Sequence, residues 1–346
     1  MMLKDYVHEP GKSCRTVAIR NLMFRNGLDL KEDTVFGLAE GLSFSFVIPD
    51  EKSEHKYFKC MAPNLNQFEN FAKNMKFEYQ VITETGKNFA CMERILTGEN
   101  DPVLCEVIPG KYKRYIHTDR QQWNELRMDI PLMSHVTEVI GMDERYVYIC
   151  ENYSKCTFRI PQKVFRKARN SNQDSYLNPH HKIHYFMVPE DLSTAVLREG
   201  IYRAITNNLT QYFGGKNERL GYQAFARFVH EYPQLYDRFG PAVCKKSLWI
   251  TGSLMKYVSP GMFRKIYGRY LRECSGIIGQ KDEFEEISKL FQQSDYLWNK
   301  FAGYILKKDI EVEERIKGRQ GLALIEKISD VENQCMEKLM EVTASW

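Results

Sequence analysis

His8-Glu9-Pro10-Gly11-Lys12-Ser13-Cys14-Arg15-Thr16-Val17-Ala18-Ile19-Arg20-Asn21-Leu22-Met23-Phe24 is the stretch on which the reading of this chain turns. Pro10 and Gly11 punctuate the approach, and no helical period runs through residues 8–13. From Arg15 onward the pattern is that of an amphipathic helix, which Gly27 can close. Cys14, Ala18 and Leu22 then share one stripe of that helix. A thiol in the first helical turn lies against unpaired backbone N–H groups and the positive end of the dipole. Both favour the thiolate and lower the pKa. Cys14 is therefore the candidate nucleophile.

The 346 residues exceed one ordinary core, so two domains, or one with a large extension, are expected. A formal net charge of +4, with no concentrated basic stripe, argues against nucleic acid as the principal partner. No apolar stretch approaches the length of a membrane span. The opening Met-Met-Leu-Lys-Asp-Tyr-Val-His lacks the apolar run of a secretory signal, so a cytoplasmic location is expected. Nine cysteines, an odd number without any Cys-x-x-Cys pair, read as free thiols. Cys150, Cys156, His180, His181 and His184 form a loose group whose spacing fits no zinc motif. Neither a metal nor a cofactor is expected.

The first half of the chain is mixed in character. A short helical piece covers 30–36, alternating Leu42, Phe44 and Phe46 read as a strand, and a helix covers 64–74. Residues 102–108 form a strand closed by Pro109-Gly110. The clearest hairpin joins 135–140 to 145–150, with Asp143 shaping its turn. Centring the turn there sets His135 opposite Glu151, Thr137 opposite Ile149 and Val139 opposite Val147. A slip of one would bring Asn152 or Cys150 opposite instead. From about Pro189 helical periods dominate: 192–213, 220–231, 242–257, 262–274 and a long charged stretch from 282 to 338. The expected organisation is an α+β catalytic domain over 1–188 and a helical domain over 189–346.

A cysteine on an early helix, a histidine on a later strand, and an acid or amide on the next strand make a nucleophile, a base and an orienting group. The thiolate attacks a carbonyl, the imidazole pairs with it and protonates the leaving group, and the third group holds the ring. Cys14 and His135 fill the first two roles, and either Glu151 or Asn152 fills the third. His8, six residues upstream of Cys14, is placed to donate a hydrogen bond to an oxyanion together with the Cys14 backbone N–H. This chain order resembles that of papain-like cysteine enzymes.

A second resemblance covers most of the chain. Gly11-Lys12-Ser13-Cys14, Ile19-Arg20-Asn21-Leu22, Phe36-Gly37-Leu38 and Gly41-Leu42-Ser43-Phe44 resemble the opening of the butirosin-biosynthesis acyltransferase family. Pro102-Val103-Leu104, His135-Val136 with Gly141, Phe165-Arg166-Lys167-Ala168-Arg169, and Ser259-Pro260-Gly261-Met262-Phe263-Arg264 with Tyr267 extend it. The resemblance implies a papain-like fold. It also implies transfer of an acyl or aminoacyl group from a carrier-protein thioester to a small-molecule amine, with Cys14 as nucleophile and His135 as base. Glu151 stands where an Asp is more usual, and Ser13 where family members often carry His. An amidohydrolase or peptidase with the same constellation, and a non-catalytic binding protein on the same fold, are the alternatives. A homodimer through the helical half stays open.

Overall fold

The computed structural model describes residues 1–49, 56–62, 66–84, 89–116, 135–170, 179–190, 192–214 and 218–346. The chain forms two compact units, Met1–Val35 with Phe71–Ser193, and Phe36–Asn70 with Thr194–Trp346. The first is mixed α+β with an antiparallel sheet, and the second is helical apart from a two-stranded ribbon. The sequence boundary at 188 lies close to Ser193, but residues 36–70, which the sequence reading places in the first domain, cluster with the second unit. The cause is aromatic packing. Phe36 meets Phe263 edge-on with ring centroids 5.4 Å apart, and Phe44 lies 5.4 Å from Phe225 and 5.7 Å from Trp298.

In chain order the elements begin with α1 (Cys14–Arg25), α2 (Glu32–Leu38), β1 (Ser45–Val47), β2 (Lys59–Met61) and α3 (Gln67–Met75). There follow β3 (Glu78–Thr83), α4 (Ala90–Arg94), β4 (Val103–Val107), β5 (His135–Met142), β6 (Tyr146–Cys150), β7 (Thr157–Pro161), α5 (Gln162–Arg169) and β8 (Lys182–Met187). The sheet of the first unit runs β3-β8-β4-β5-β6-β7, every neighbouring pair antiparallel. Its core face carries Val103, Cys105, Val107, Val139, Val147 and Ile149, which pack with Phe89, Met92 and Phe165. Alternation turns Leu104, Glu106, Val136 and Glu138 to the opposite face, where α1 lies against β5.

The hairpin register differs from the sequence expectation by two residues. Val139 pairs with Ile149 and Glu138 with Cys150, because the turn centres between Glu144 and Arg145 rather than at Asp143, and a bulge at Ile140, before Gly141 meets Tyr148, takes back one residue of that displacement. Carried forward, that register sets Thr137 rather than His135 opposite Glu151. A slip of two preserves the face, so His135 and Glu151 still share one side.

The second unit adds α6 (Thr194–Gly214), α7 (Gly221–Glu231), α8 (Leu235–Ser253), α9 (Arg264–Ile278), α10 (Lys281–Ile305), α11 (Val312–Lys317) and α12 (Arg319–Thr343). Helix α8 breaks at Gly240, φ 73°, before Pro241 restarts it. Gly261, Met262 and Phe263 all adopt left-handed backbone, so the helix expected from Met262 begins at Arg264 instead. A side chain on Gly261 would meet the Asp295 carboxylate at 2.0 Å. Arg264 is fully buried and forms a bidentate pair with Glu332, at 2.8 and 3.0 Å. Trp298 Nε1 (3.0 Å) and the Ser294 hydroxyl also donate to Glu332. Among the described residues no helix is long and apolar enough to cross a membrane.

Glu332→Ala would strand the Arg264 guanidinium in the core. The expected cost is about 3–5 kcal/mol, read as a lowered midpoint in urea unfolding, whereas Lys338→Ala on the surface changes it by less than about 0.5 kcal/mol.

Candidate active site

His135 is the first residue of β5, and Glu151 follows directly on the last residue of β6. The ring of His135 therefore stands at the end of the sheet, where the start of α1 can reach it. His135 Nε2 lies 2.5 Å from Glu151 Oε2. Glu151 has no exposed surface, and its Oε1 accepts a 2.7 Å hydrogen bond from the Tyr112 hydroxyl. With Nε2 committed to Glu151, Nδ1 is the ring nitrogen left to serve the Cys14 thiol, with which His135 interacts by charge and hydrogen bond.

The electrostatics follow from this geometry. Burial pushes the Cys14 thiol up. The His135 imidazolium, by charge and hydrogen bond, the Arg15 guanidinium and the Val136 backbone N–H together bring it down to about 6. Burial by itself would lower His135, but Glu151 and the Cys14 thiolate carry it up to about 10. Between these values the stable form is a thiolate–imidazolium pair backed by a carboxylate. Cys60, Cys105 and Cys150 move the other way, because burial raises them with no nearby cation strong enough to offset it.

Arg15, the residue after Cys14, is held by Glu106 of β4 at 3.5 Å. Glu106 also meets His184 Nε2 at 3.2 Å, and His184 Nδ1 meets the Tyr79 hydroxyl at 2.8 Å. On the same sheet face Glu138 accepts hydrogen bonds from Asn21 Nδ2, at 3.1 and 3.2 Å, and from the Tyr6 hydroxyl. Two carboxylates on adjacent strands thus fasten successive turns of α1. A third, Glu32, sits at its start. It accepts the Lys12 N–H at 2.9 Å, the Ser13 N–H at 2.9 Å and the Thr16 hydroxyl at 3.2 Å. A side chain on Gly11 would meet Glu32 Oε2 at 2.2 Å, so the turn before Cys14 needs glycine for space. Glu32 also takes up part of the positive helix end. Among the neighbouring groups, the imidazole is the leading favourable influence on the thiol.

His8 differs from its expected role. Nδ1 faces Glu138 at 3.2 Å and Nε2 meets the Glu151 carbonyl at 3.0 Å. Burial opposes its charge, but the Glu138 hydrogen bond and charge outweigh it and raise the pKa. Both ring nitrogens are committed to the scaffold, so His8 secures the Glu151 backbone and has no N–H left for an oxyanion. The unpaired amides at the α1 start begin at Cys14, since Glu32 has taken the two before it. Asn152, the other candidate for orienting His135, instead holds the turn before the helix. Its carbonyl accepts the Gly11 N–H at 2.7 Å and its Nδ2 approaches the Lys12 carbonyl at 3.4 Å.

Asp143 accepts the Arg145 and Tyr146 N–H groups at 2.8 and 2.7 Å and shapes the hairpin turn. All nine cysteines are free thiols. Among the described residues no three His, Cys, Asp or Glu side chains gather as a metal site. Within the loose histidine–cysteine group, His184 is engaged by Tyr79 and Glu106, while Cys150 contacts Thr157 at 3.8 Å. Tyr112, Glu32 and Glu138 are the site residues that sequence reasoning missed. Tyr112 lies in a turn among cations, Glu32 reads as an ordinary first-turn acid, and Glu138 as a strand residue, so none carries a local signal.

Alkylation of Cys14 by iodoacetamide, followed by mass spectrometry, is expected to have a midpoint near pH 6. The rate falls below that pH as the thiolate is protonated. In His135→Ala the Cys14 midpoint should rise by about two pH units, because burial is then opposed only by Arg15 and one amide. Glu32→Ala, by removing the acceptor of the Lys12 and Ser13 N–H groups and the Thr16 hydroxyl, is expected to cost about 2 kcal/mol in urea unfolding.

Comparison with known proteins gives two family matches. Residues 13–103, beginning one residue before Cys14, match the family model described as Butirosin biosynthesis protein H, N-terminal. No curated protein matches the sequence. Residues 163–339, just over half of the chain, match the model described as Domain of unknown function (DUF4872), and the chain belongs to that family.

Proposed function

We propose that this protein is a cysteine-nucleophile acyltransferase with a papain-like catalytic unit. It would move an acyl or aminoacyl group from a carrier-protein thioester to the amine of a small molecule. The observation that carries the reading is the Cys14–His135–Glu151 constellation, with a thiol lowered to about 6 against an imidazole raised to about 10. A nucleophile on an early helix, and a base and its orienting acid on later antiparallel strands, support the papain-like assignment. The match to the butirosin biosynthesis protein H N-terminal model supports a biosynthetic role.

In the first half-reaction the Cys14 thiolate attacks the thioester carbonyl. The developing oxyanion is met by the Cys14 backbone N–H at the helix start. The donor thiol departs with the proton of the His135 imidazolium, leaving an acyl-Cys14 thioester and a neutral imidazole. In the second, the acceptor amine attacks that thioester, neutral His135 removes its proton, and Cys14 leaves again as thiolate. Glu151 holds the ring in one orientation through both steps and compensates its charge.

The test is incubation with an acyl-pantetheine thioester and intact-mass measurement. An acyl adduct should form on the wild-type protein, be absent in Cys14→Ala, and discharge into an added amine at least ten-fold faster than into water. Turnover in Cys14→Ala should fall by about 10³-fold or more. Equal discharge into water would make the protein a hydrolase. No adduct with any thioester or amide donor would leave a binding protein.

A further inference from the structure

The Cys14–His135–Glu151 group accounts for one oxygen of Glu151, and the other oxygen identifies a further participant. Oε2 meets His135 at 2.5 Å, while Oε1 is held at 2.7 Å by the hydroxyl of Tyr112. Tyr112 is itself without exposed surface. It belongs to the turn between Pro109–Lys111 and Lys113–Tyr115, whose flanking Lys111 and Lys113 are exposed. One inward residue in a solvent-facing turn thus delivers a single neutral donor to a carboxylate cut off from water.

We infer that Tyr112 is a positioning residue of this site, holding Glu151 aimed at His135 and thereby sustaining the Cys14 thiolate. The argument rests on the energetics of a buried anion. A carboxylate with no solvent is stable in its charged form only when its lone pairs find donors. Here each oxygen has one side-chain donor among the described residues. The groups facing Glu151 are His135 on one oxygen and Tyr112 on the other, with Cys14 and Arg15 beyond the imidazole, Cys150 beside the carboxylate and Tyr153 beside Tyr112. His8 touches only its backbone carbonyl. Removing the Tyr112 hydroxyl leaves Oε1 buried and unpaired, so nothing holds that side of the carboxylate in line with His135. A carboxylate turned from the ring no longer supports the imidazolium, and an imidazole that loses its charge no longer supports the thiolate. The consequence passes through two residues to an atom that Tyr112 does not touch. The inference deepens the acyltransferase reading, since it concerns the same thiolate, but it does not depend on the identity of the donor or acceptor.

The experiment is the pH profile of Cys14 alkylation in wild type, Tyr112→Phe, Glu151→Gln and the double variant. Tyr112→Phe is expected to move the midpoint up by about one unit while leaving the shape of the side chain intact. On the Glu151→Gln background the same change should move it no further, because the route through the carboxylate is already cut. Coincident profiles for wild type and Tyr112→Phe, or equal shifts on both backgrounds, would overturn the inference. NMR titration of the His135 ring separates this outcome from failure of the acyltransferase reading. An imidazole pKa that drops in Tyr112→Phe upholds the Tyr112–Glu151–His135 chain even where no acyl adduct forms. An unmoved one rejects it even where Cys14 is acylated. If Tyr112→Phe does not fold, the wild-type protein still decides. A slowly exchanging, downfield Tyr112 hydroxyl proton that shifts as His135 titrates supports the chain, and a rapidly exchanging one overturns it.

Discussion

A carboxylate with no access to water, Glu151, is the constraint on which the first unit depends. Leaving such a charge unpaired would cost several kcal/mol, so its surroundings must supply donors. They come from three separate parts of the chain. His135 meets one oxygen, Tyr112 the other, and His8 the backbone carbonyl. Each donor is fixed in turn: His135 by strand β5, Tyr112 by a turn after β4, and His8 by Glu138. The orientation of the imidazole, and so the charge on Cys14, is a by-product of satisfying one buried anion.

The same logic extends along α1. An amphipathic helix on a sheet usually buries an apolar stripe, yet this one also buries Arg15 and Asn21. Glu106 and Glu138, on adjacent strands and the same face, receive them. Burial of Val17, Ala18 and Ile19 supplies hydrophobic adhesion, but it is non-directional and tolerates sliding. Charged hydrogen bonds at two points along the helix do not. They set its axial position, and the axial position decides whether Cys14 meets His135. Glu32 adds a third restraint at the helix start.

The helical unit solves a parallel problem around Arg264, Glu332, Ser294 and Trp298, with a bidentate pair wholly inside the core. Its aromatic cluster gathers Phe36 and Phe44 from early in the chain, which is why the second unit includes residues 36–70. The three left-handed residues before α9 set the entry of Arg264, whose Nη1 also reaches the Ser43 carbonyl at 2.9 Å.

Local pattern carried much of this in the sequence. The turn-to-helix switch at Cys14, the β4 strand, the 135–150 hairpin, the helical second half and the pairing of His135 with Glu151 on one face all follow from periodicity and turn chemistry over a few residues. The shared face of His135 and Glu151 survived a register error because the slip at that end of the hairpin is two residues. What the sequence could not decide lies in contacts between distant residues. The Ile140 bulge depends on the neighbouring strand, and the allegiance of residues 36–70 on aromatic rings more than 170 residues away in the case of Phe225. His8 was misread for the same reason. Its distance from Cys14 along the chain says nothing of Glu138 and Glu151, which claim both its nitrogens. Tyr112 gives no sign of its role beside two lysines. By itself the sequence determined where a nucleophile, a base and an acid could stand. The tertiary structure alone decided which groups neutralise them, because the donors that stabilise a buried charge are selected by proximity in space, and proximity across 39 residues, as between Tyr112 and Glu151, leaves no periodic trace.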